Sequence, residues 1–551
     1  MKITLLFILG YFFVLGSVHA EKSISDTEKL AATAKVWGFL KYYHPSVAKG
    51  KFDWDQQLLD ILPTLDNAET KEELSAIFLT WIESLGTIKL CKKCQEDSES
   101  IYFDKNFDLV WFDDEALFTK SLSEKLRFIE QNRYQGKPYY VKTEGRNATL
   151  VISNEKSYAE FDWTNKSMRL LSLMRYWNTI AYYYPHKYQL DTNWDTVLLQ
   201  MIPKFSDPDS ELDYHLAMLE LVVKIDDSHG YFSTDLINAH FGLDLIPAAF
   251  NFIDDKIVIT GLFDQNLAAA NDLQIGDVIS KIEGKEVSEV LSKNLKYIHG
   301  SNHPTKLKYA FGKIYPNASD SVEVEITREG VTRVRRLGRY PRDQFSSSSS
   351  LDHWRVIQDN IGYINLKRID GKELANALQS LADTRGIIID LRNYPKEFFG
   401  NEFKNFLGAR NEVFTKVIKP DFKYPGRYLI TDQKGVTKAS KYKGKVILLV
   451  DEYTQSRAEF TAIYIQNGYN VTTIGSQTAG AGGMMIPLEF VGGYQSYFTS
   501  SGIFFPDMSA VQRNGVPVDY VVRSSLKGII SGDDEVIDKA VELILKDERR
   551  L

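Results

Sequence analysis

Ser456 stands where nucleophilic chemistry is possible. It follows the apolar run KVILLV (Lys445 to Val450) and a short polar loop, and it opens the segment SRAEFTAIYIQN, which has helical character. A hydroxyl at a helix start lies beside the unpaired N–H groups of the first turn. Such donors, aided by the helix dipole, stabilise an oxyanion. The same spacing also fits plain end-capping, with Ser456 as N-cap and Glu459 three residues on. Spacing alone favours the cap. A second loop of interest ends the run GIIIDLRNYP, Gly386 to Pro395. His44, His186, His215, His240, His299, His303 and His353 show neither pairing nor metal-ligand spacing and read as structural or exposed. Cys91 and Cys94, the only cysteines, read as a local disulfide, because zinc would need two further ligands nearby. No G-x-S-x-G elbow occurs, which argues against an α/β-hydrolase esterase.

The elements that must carry these loops alternate strand and helix. Strands are expected at Ile361–Leu366, Gly386–Leu391, Lys445–Val450 and Val471–Gly475, with helices near Lys372–Leu381 and Arg457–Gln466. That pattern is α/β with a largely parallel sheet, whose functional loops lie beyond strand C-termini. The serines at 346–350 read as a linker before it. From about 236 to 340 short β-branched runs alternate with Gly, Asn and Asp turns. Upstream lies a repeat. Trp37, Pro45, Trp54 and Pro63 map onto Trp177, Pro185, Trp194 and Pro203, each 140 positions on. Tyr42, Tyr43, Asp55 and Leu58 match in the same register, so two copies of one helical unit occur, with a Trp and Tyr stripe that reads as core. At that offset His229 faces Lys89, so the copies differ in whatever His229 does.

The chain has 551 residues, 44% hydrophobic and 25% charged, enough for several cores. A net charge of −7 argues against a broad nucleic-acid surface. Residues 1–20 (MKITLLFILGYFFVLGSVHA) read as a cleaved secretory signal, leaving a mature chain that starts near Glu21 and has no spanning segment. Loss of Lys2 then takes the formal charge from −7 to −8.

Two resemblances add to this reading. The stretch NLAAANDLQIGDVISKIEGKEV resembles a PDZ module, whose kind binds peptides by adding a strand to a sheet edge. From about 230 to 550 the ordered motifs DLRN, S-x-A-E at a helix start, IGSQTAGAGG and GVPVD (Gly515 to Asp519) resemble the S41 serine peptidases, the C-terminal processing and tricorn-core-like proteases. The resemblance implies Ser456 as nucleophile. It implies the N–H of Arg457 as one oxyanion donor and a second from the Asn393–Tyr394 loop, since Pro395 has no N–H. One branch of the family activates its serine with a lysine about 25 residues downstream, but Ala481 stands there and no lysine occurs between Lys445 and Lys527. The tricorn-like branch uses a Ser–His pair before the PDZ-like module, and Asp227-Ser228-His229-Gly230 sits there. This implies His229 as general base, oriented by Ser228. Histidine is the side chain suited to that task near neutral pH. The Glu that completes the branch's relay is replaced by Gln512, so another carboxylate must serve or the relay is weaker. YPKEFFG replaces the family's Gly-rich stretch after DLRN, which puts the oxyanion loop in question. Glu459 reads as structural, and Gly480, Gly482 and Gly483 are expected to let the chain approach substrate closely.

The expectation is a multidomain α/β protein. It has a signal (1–20), a helical domain with two related repeats (21–235), a PDZ-like module (236–340) and a ClpP/crotonase-like S41 catalytic core (341–551). Its expected function is that of an exported serine endopeptidase, periplasmic or extracellular, that acts on polypeptides without cofactor or metal. The alternative is a non-catalytic S41-like protein that binds peptides or apolar ligands.

Overall fold

In the computed structural model, which describes residues 23–94, 100–145, 148–315, 318–346 and 353–547, the first helix is Asp26–Tyr43. The signal assignment at 1–20 and the serines from 347 lie outside the described residues. Ser25 and Glu28 cap this helix reciprocally, and it ends just before Pro45, since the residue preceding proline resists helical geometry. Helix Lys166–Tyr183 has the same length, 18 residues, 140 positions later. In each unit the first tryptophan stacks on the second with ring centroids 6.4 Å apart, Trp37 on Trp54 and Trp177 on Trp194. Each indole N–H donates to its partner's carbonyl, at 2.8–3.1 Å, which satisfies a polar atom that would be costly to bury alone.

The two long helices cross at equivalent places. Asn178 donates to the Ala34 carbonyl (2.9 Å), and its Oδ1 lies 1.6 Å from where a Cβ on residue 38 would be, so only Gly38 fits. Cys91 and Cys94 are disulfide-bonded.

The middle region forms one antiparallel sheet in the order Ala248–Ile253, Lys256–Leu262, Val278–Ile282, Ser321–Arg328, Val331–Gly338, with Lys285–Glu286 paired to Val278–Ile282. Ala248–Ile253 is an edge strand, and helix His303–Tyr309 packs beside it.

The last sheet has the order Trp354–Ile357, Ile361–Asn365, Gly386–Asp390, Lys445–Val450, Val471–Gly475, Tyr520–Val521. Only the first pair is antiparallel. Helices Gly371–Ser380, Gly400–Leu407 and Arg457–Gln466 cover one face and Glu535–Leu545 the other, which explains the unbroken apolar strand at 446–450.

The regions 21–235 and 341–551 do not keep separate cores, whereas the 236–340 module has its own. The hairpin Met485–Glu489 and Gln495–Thr499 buries Ile486, Leu488 and Phe498 in the helical core, and Phe490 stacks on Tyr176 at 4.8 Å. Strand Tyr102–Phe103 in turn pairs with Tyr428–Lys434.

Candidate active site

Beyond Val450 the chain turns through a loop held by the Thr454 hydroxyl, which donates to the Leu391 carbonyl (2.6 Å). Helix Arg457–Gln466 then begins. Ser456, its N-cap, has φ 54° and ψ −110°, a backbone region that residues with a Cβ seldom adopt. Half of the expected capping box is seen in the reach of Glu459 back to the Ser456 N–H (2.9 Å). Glu459 does more than cap. Buried to 1% exposure, it also accepts from the N–H groups of Gly480 (2.7 Å) and Ala481 (2.9 Å) and from the Thr478 hydroxyl (2.7 Å). Burial pushes its carboxyl above the usual range, and these donors oppose that rise. It therefore ties the glycine-rich loop to the start of the helix.

The N–H of Arg457, first residue of that helix, has no acceptor among the described residues. Its guanidinium donates to the Lys396 carbonyl (2.8 Å) and lies 5.4 Å from the centre of the Tyr394 ring, so the 393–396 loop is drawn against the helix start. Tyr394 is exposed.

His229 sits on the turn after helix Glu211–Val223 and is buried. Its Nδ1 is 2.8 Å from the Thr499 hydroxyl oxygen. That hydroxyl donates to Oδ1 of Asp227 (3.0 Å). A carboxylate only accepts, so the single hydroxyl proton is committed to it, and the Thr499 oxygen must accept from Nδ1–H. The tautomer is thereby fixed and the Nε2 lone pair is left free. Burial lowers the basicity of His229, and the Asp227 charge 3.8 Å away counteracts it.

The loops bearing His229 and Ser456 meet where the Gln455 amide donates to the Ser228 carbonyl (3.4 Å). Among the described residues no hydrogen bond joins Ser456 to the imidazole. Gln455 in turn accepts from Tyr309 (2.6 Å) and Lys308 (2.9 Å), so helix His303–Tyr309 grips the same loop.

Three expectations need correcting. Ser228 does not touch the imidazole. Its hydroxyl donates to the Ala479 carbonyl (2.9 Å) and accepts from the Ser301 N–H (2.8 Å), because the turn points it at the glycine-rich loop. Gln512 does not reach His229. Fully buried, its amide donates to Asp227 (3.3 Å), Ser301 (3.1 Å) and Tyr184 (3.3 Å). The glycines approach the protein's own chain. A Cβ on Gly480 would lie 2.7 Å from the Arg513 backbone, on Gly482 2.7 Å from Val511, and on Gly483 2.0 Å from the Ser501 carbonyl.

Asp227, Thr499 and Gln455 escaped the sequence reading. Asp227, two residues before His229, carried a signal: a carboxylate next to a candidate base. Thr499 carried none. A cleft of about 410 Å³, lined by neither Ser456 nor His229, lies between strand Ala248–Ile253, helix His303–Tyr309 and the sheet's C-terminal loops. In it burial and the neighbouring Glu452 raise the Asp451 carboxyl to about 7.

Residues 360–522 match the model of Peptidase family S41. A "Probable CtpA-like serine protease" of Staphylococcus haemolyticus is 25% identical over 280 residues, 49% of this chain and 51% of the relative, so the chain spans about half the length of that curated relative. Among solved structures, mature CPAF complexed with lactacystin shares the fold at a TM-score of 0.55 and 14% identity, over 69% of this chain and 98% of that one. A putative peptidase from Parabacteroides merdae aligns over 69% of this chain and 96% of its own at 13% identity and a TM-score of 0.43.

Proposed function

We propose that this chain, whose residues 360–522 match the model of Peptidase family S41, is an exported serine endopeptidase with Ser456 as nucleophile and His229 as general base. The observation that carries this reading is the hydrogen-bond set that commits Nδ1–H to Thr499 and leaves Nε2 ready to accept a proton.

In the reaction, substrate binding closes the Ser456–His229 approach. Ser456 Oγ gives its proton to Nε2 and attacks the scissile carbonyl. The oxyanion is met by the N–H of Arg457 and by a donor from the Asn393–Tyr394 loop. His229 then protonates the departing amine, and water releases the acyl group from Ser456. Asp227 supplies the negative charge that stabilises the imidazolium, acting through the Thr499 hydroxyl. Gln512 takes no charge role and holds Asp227 in place. The edge strand Ala248–Ile253, open on one side and lining the cleft, suits a polypeptide that adds as a further strand, in keeping with a PDZ-like module.

A fluorophosphonate probe tests the activity. Labelling of the wild type that vanishes in Ser456→Ala is expected. Full peptide cleavage by His229→Ala would remove the proposed base. Sequencing the N-terminus of the protein recovered outside the cytoplasm tests export, with a start near Glu21 expected.

A further inference from the structure

The oxyanion donors of the peptidase reading stand on two banks. One is the start of helix Arg457–Gln466, where the N–H of Arg457 has no acceptor among the described residues. The other is the loop after strand Gly386–Asp390, where the N–H groups of Asn393 and Tyr394 have none among the described residues either. Below the site the banks are firmly joined. Strands Gly386–Asp390 and Lys445–Val450 pair in parallel, and the Thr454 hydroxyl donates to the Leu391 carbonyl (2.6 Å). Past Leu391 these ties end. Among the described residues, 393–398 make one hydrogen bond to the helix, from the Arg457 guanidinium to the Lys396 carbonyl (2.8 Å). Phe398 packs on Phe460 and Tyr464, farther along the helix from Ser456. Tyr394 itself is 50% exposed, and the Arg457 guanidinium lies 5.4 Å from the centre of its ring.

One residue therefore bears a donor on one bank and grips the other with its side chain. A hydrogen bond from an ionised donor is stronger than a neutral one, which suits it to hold an exposed loop. An oxyanion hole works only when its donors are fixed in advance around the oxygen that becomes charged. We propose that the Arg457 side chain is a positioning group that sets the width of the oxyanion hole, by fixing the Asn393–Tyr394 N–H groups relative to its own N–H. This inference rests on the peptidase reading above.

The test compares the wild type with Arg457→Ala and Arg457→Lys, which change an exposed side chain and keep the backbone donor. The readouts are turnover of an internally quenched peptide that the wild type cleaves, and labelling by an alkyl fluorophosphonate resolved into maximal rate and half-saturation. Arg457→Ala should lower kcat and the maximal labelling rate by roughly 10- to 100-fold, the scale of a misplaced rather than a deleted group. KM, half-saturation and the thermal midpoint should not move, while amide exchange over residues 393–398 should quicken. Arg457→Lys should restore most of the rate, since one N–H donor suffices for one carbonyl. An unchanged kcat overturns the proposal, as does a loss carried by KM or the midpoint, or one that lysine does not restore. A wild type that neither labels nor cleaves removes the peptidase reading and this assignment with it. A wild type that does both, with Arg457→Ala equally fast, overturns the assignment alone.

Discussion

Thr499 and Asp227 are joined twice across 272 positions of sequence, by the Thr499 N–H to Oδ2 (2.7 Å) and by its hydroxyl to Oδ1 (3.0 Å). The carboxylate is therefore held by one residue that also presents an oxygen to the imidazole. Thr499→Val keeps the shape but leaves Nδ1–H without its acceptor, so kcat should fall at least tenfold by the proton-transfer scale, and Thr499→Ser should restore it.

Asp227→Asn removes the charge behind the imidazole. By analogy with loss of the triad carboxylate elsewhere, kcat should drop by roughly 100- to 10,000-fold. The pH profile is the sharper readout. In the wild type, burial lowers the basicity of His229, so the acid limb of kcat/KM should lie below the ordinary histidine value. Asp227 opposes that shift, so its neutralisation should move the limb lower still. A limb that rises in Asp227→Asn would contradict the assignment.

Glu459→Ala would strip the acceptor from three backbone N–H groups and the Thr478 hydroxyl in a fully buried place. Unsatisfied buried donors cost about 1–3 kcal/mol each. A clear fall in the thermal midpoint and loss of fluorophosphonate labelling are expected together, because the same residue anchors the helix start at Ser456.

Gly483→Ala tests the corrected role of the glycines. At φ 145° a new Cβ would meet the Ser501 carbonyl, so stability should fall by more than about 1 kcal/mol in a denaturant titration. An unaffected stability with altered peptide kinetics would return Gly483 to the substrate groove.

Acid sensitivity should come from buried histidines outside the site. Burial lowers His186 to about 3 and His44 and His215 to about 4. Each is neutral when folded and takes a proton more readily when unfolded. The stability they contribute is complete above the ordinary histidine value, near 6.5, and is lost as pH falls toward 4 and below. Thermal unfolding from pH 7.5 to 4 should show that decline, and His186→Gln should flatten part of it.

What the sequence determined by itself is what local pattern can carry. The β-branched run before Ser456, the proline-stopped helices at 43 and 183 and the 140-residue offset of the tryptophans all follow from propensity and periodicity over a few residues. The position of Ser456 at a helix start was legible for the same reason. Which carboxylate stands behind His229, what Gln512 and Ser228 bond to and why the loop needs glycines were decided only by the tertiary structure. Several of those contacts join segments far apart in the chain, such as Ser228 with Ala479, 251 positions on, and Asp227 with Gln512, 285 positions on. A hydroxyl or amide can bond many partners, and only packing that excludes water and brings one of them within reach selects among them.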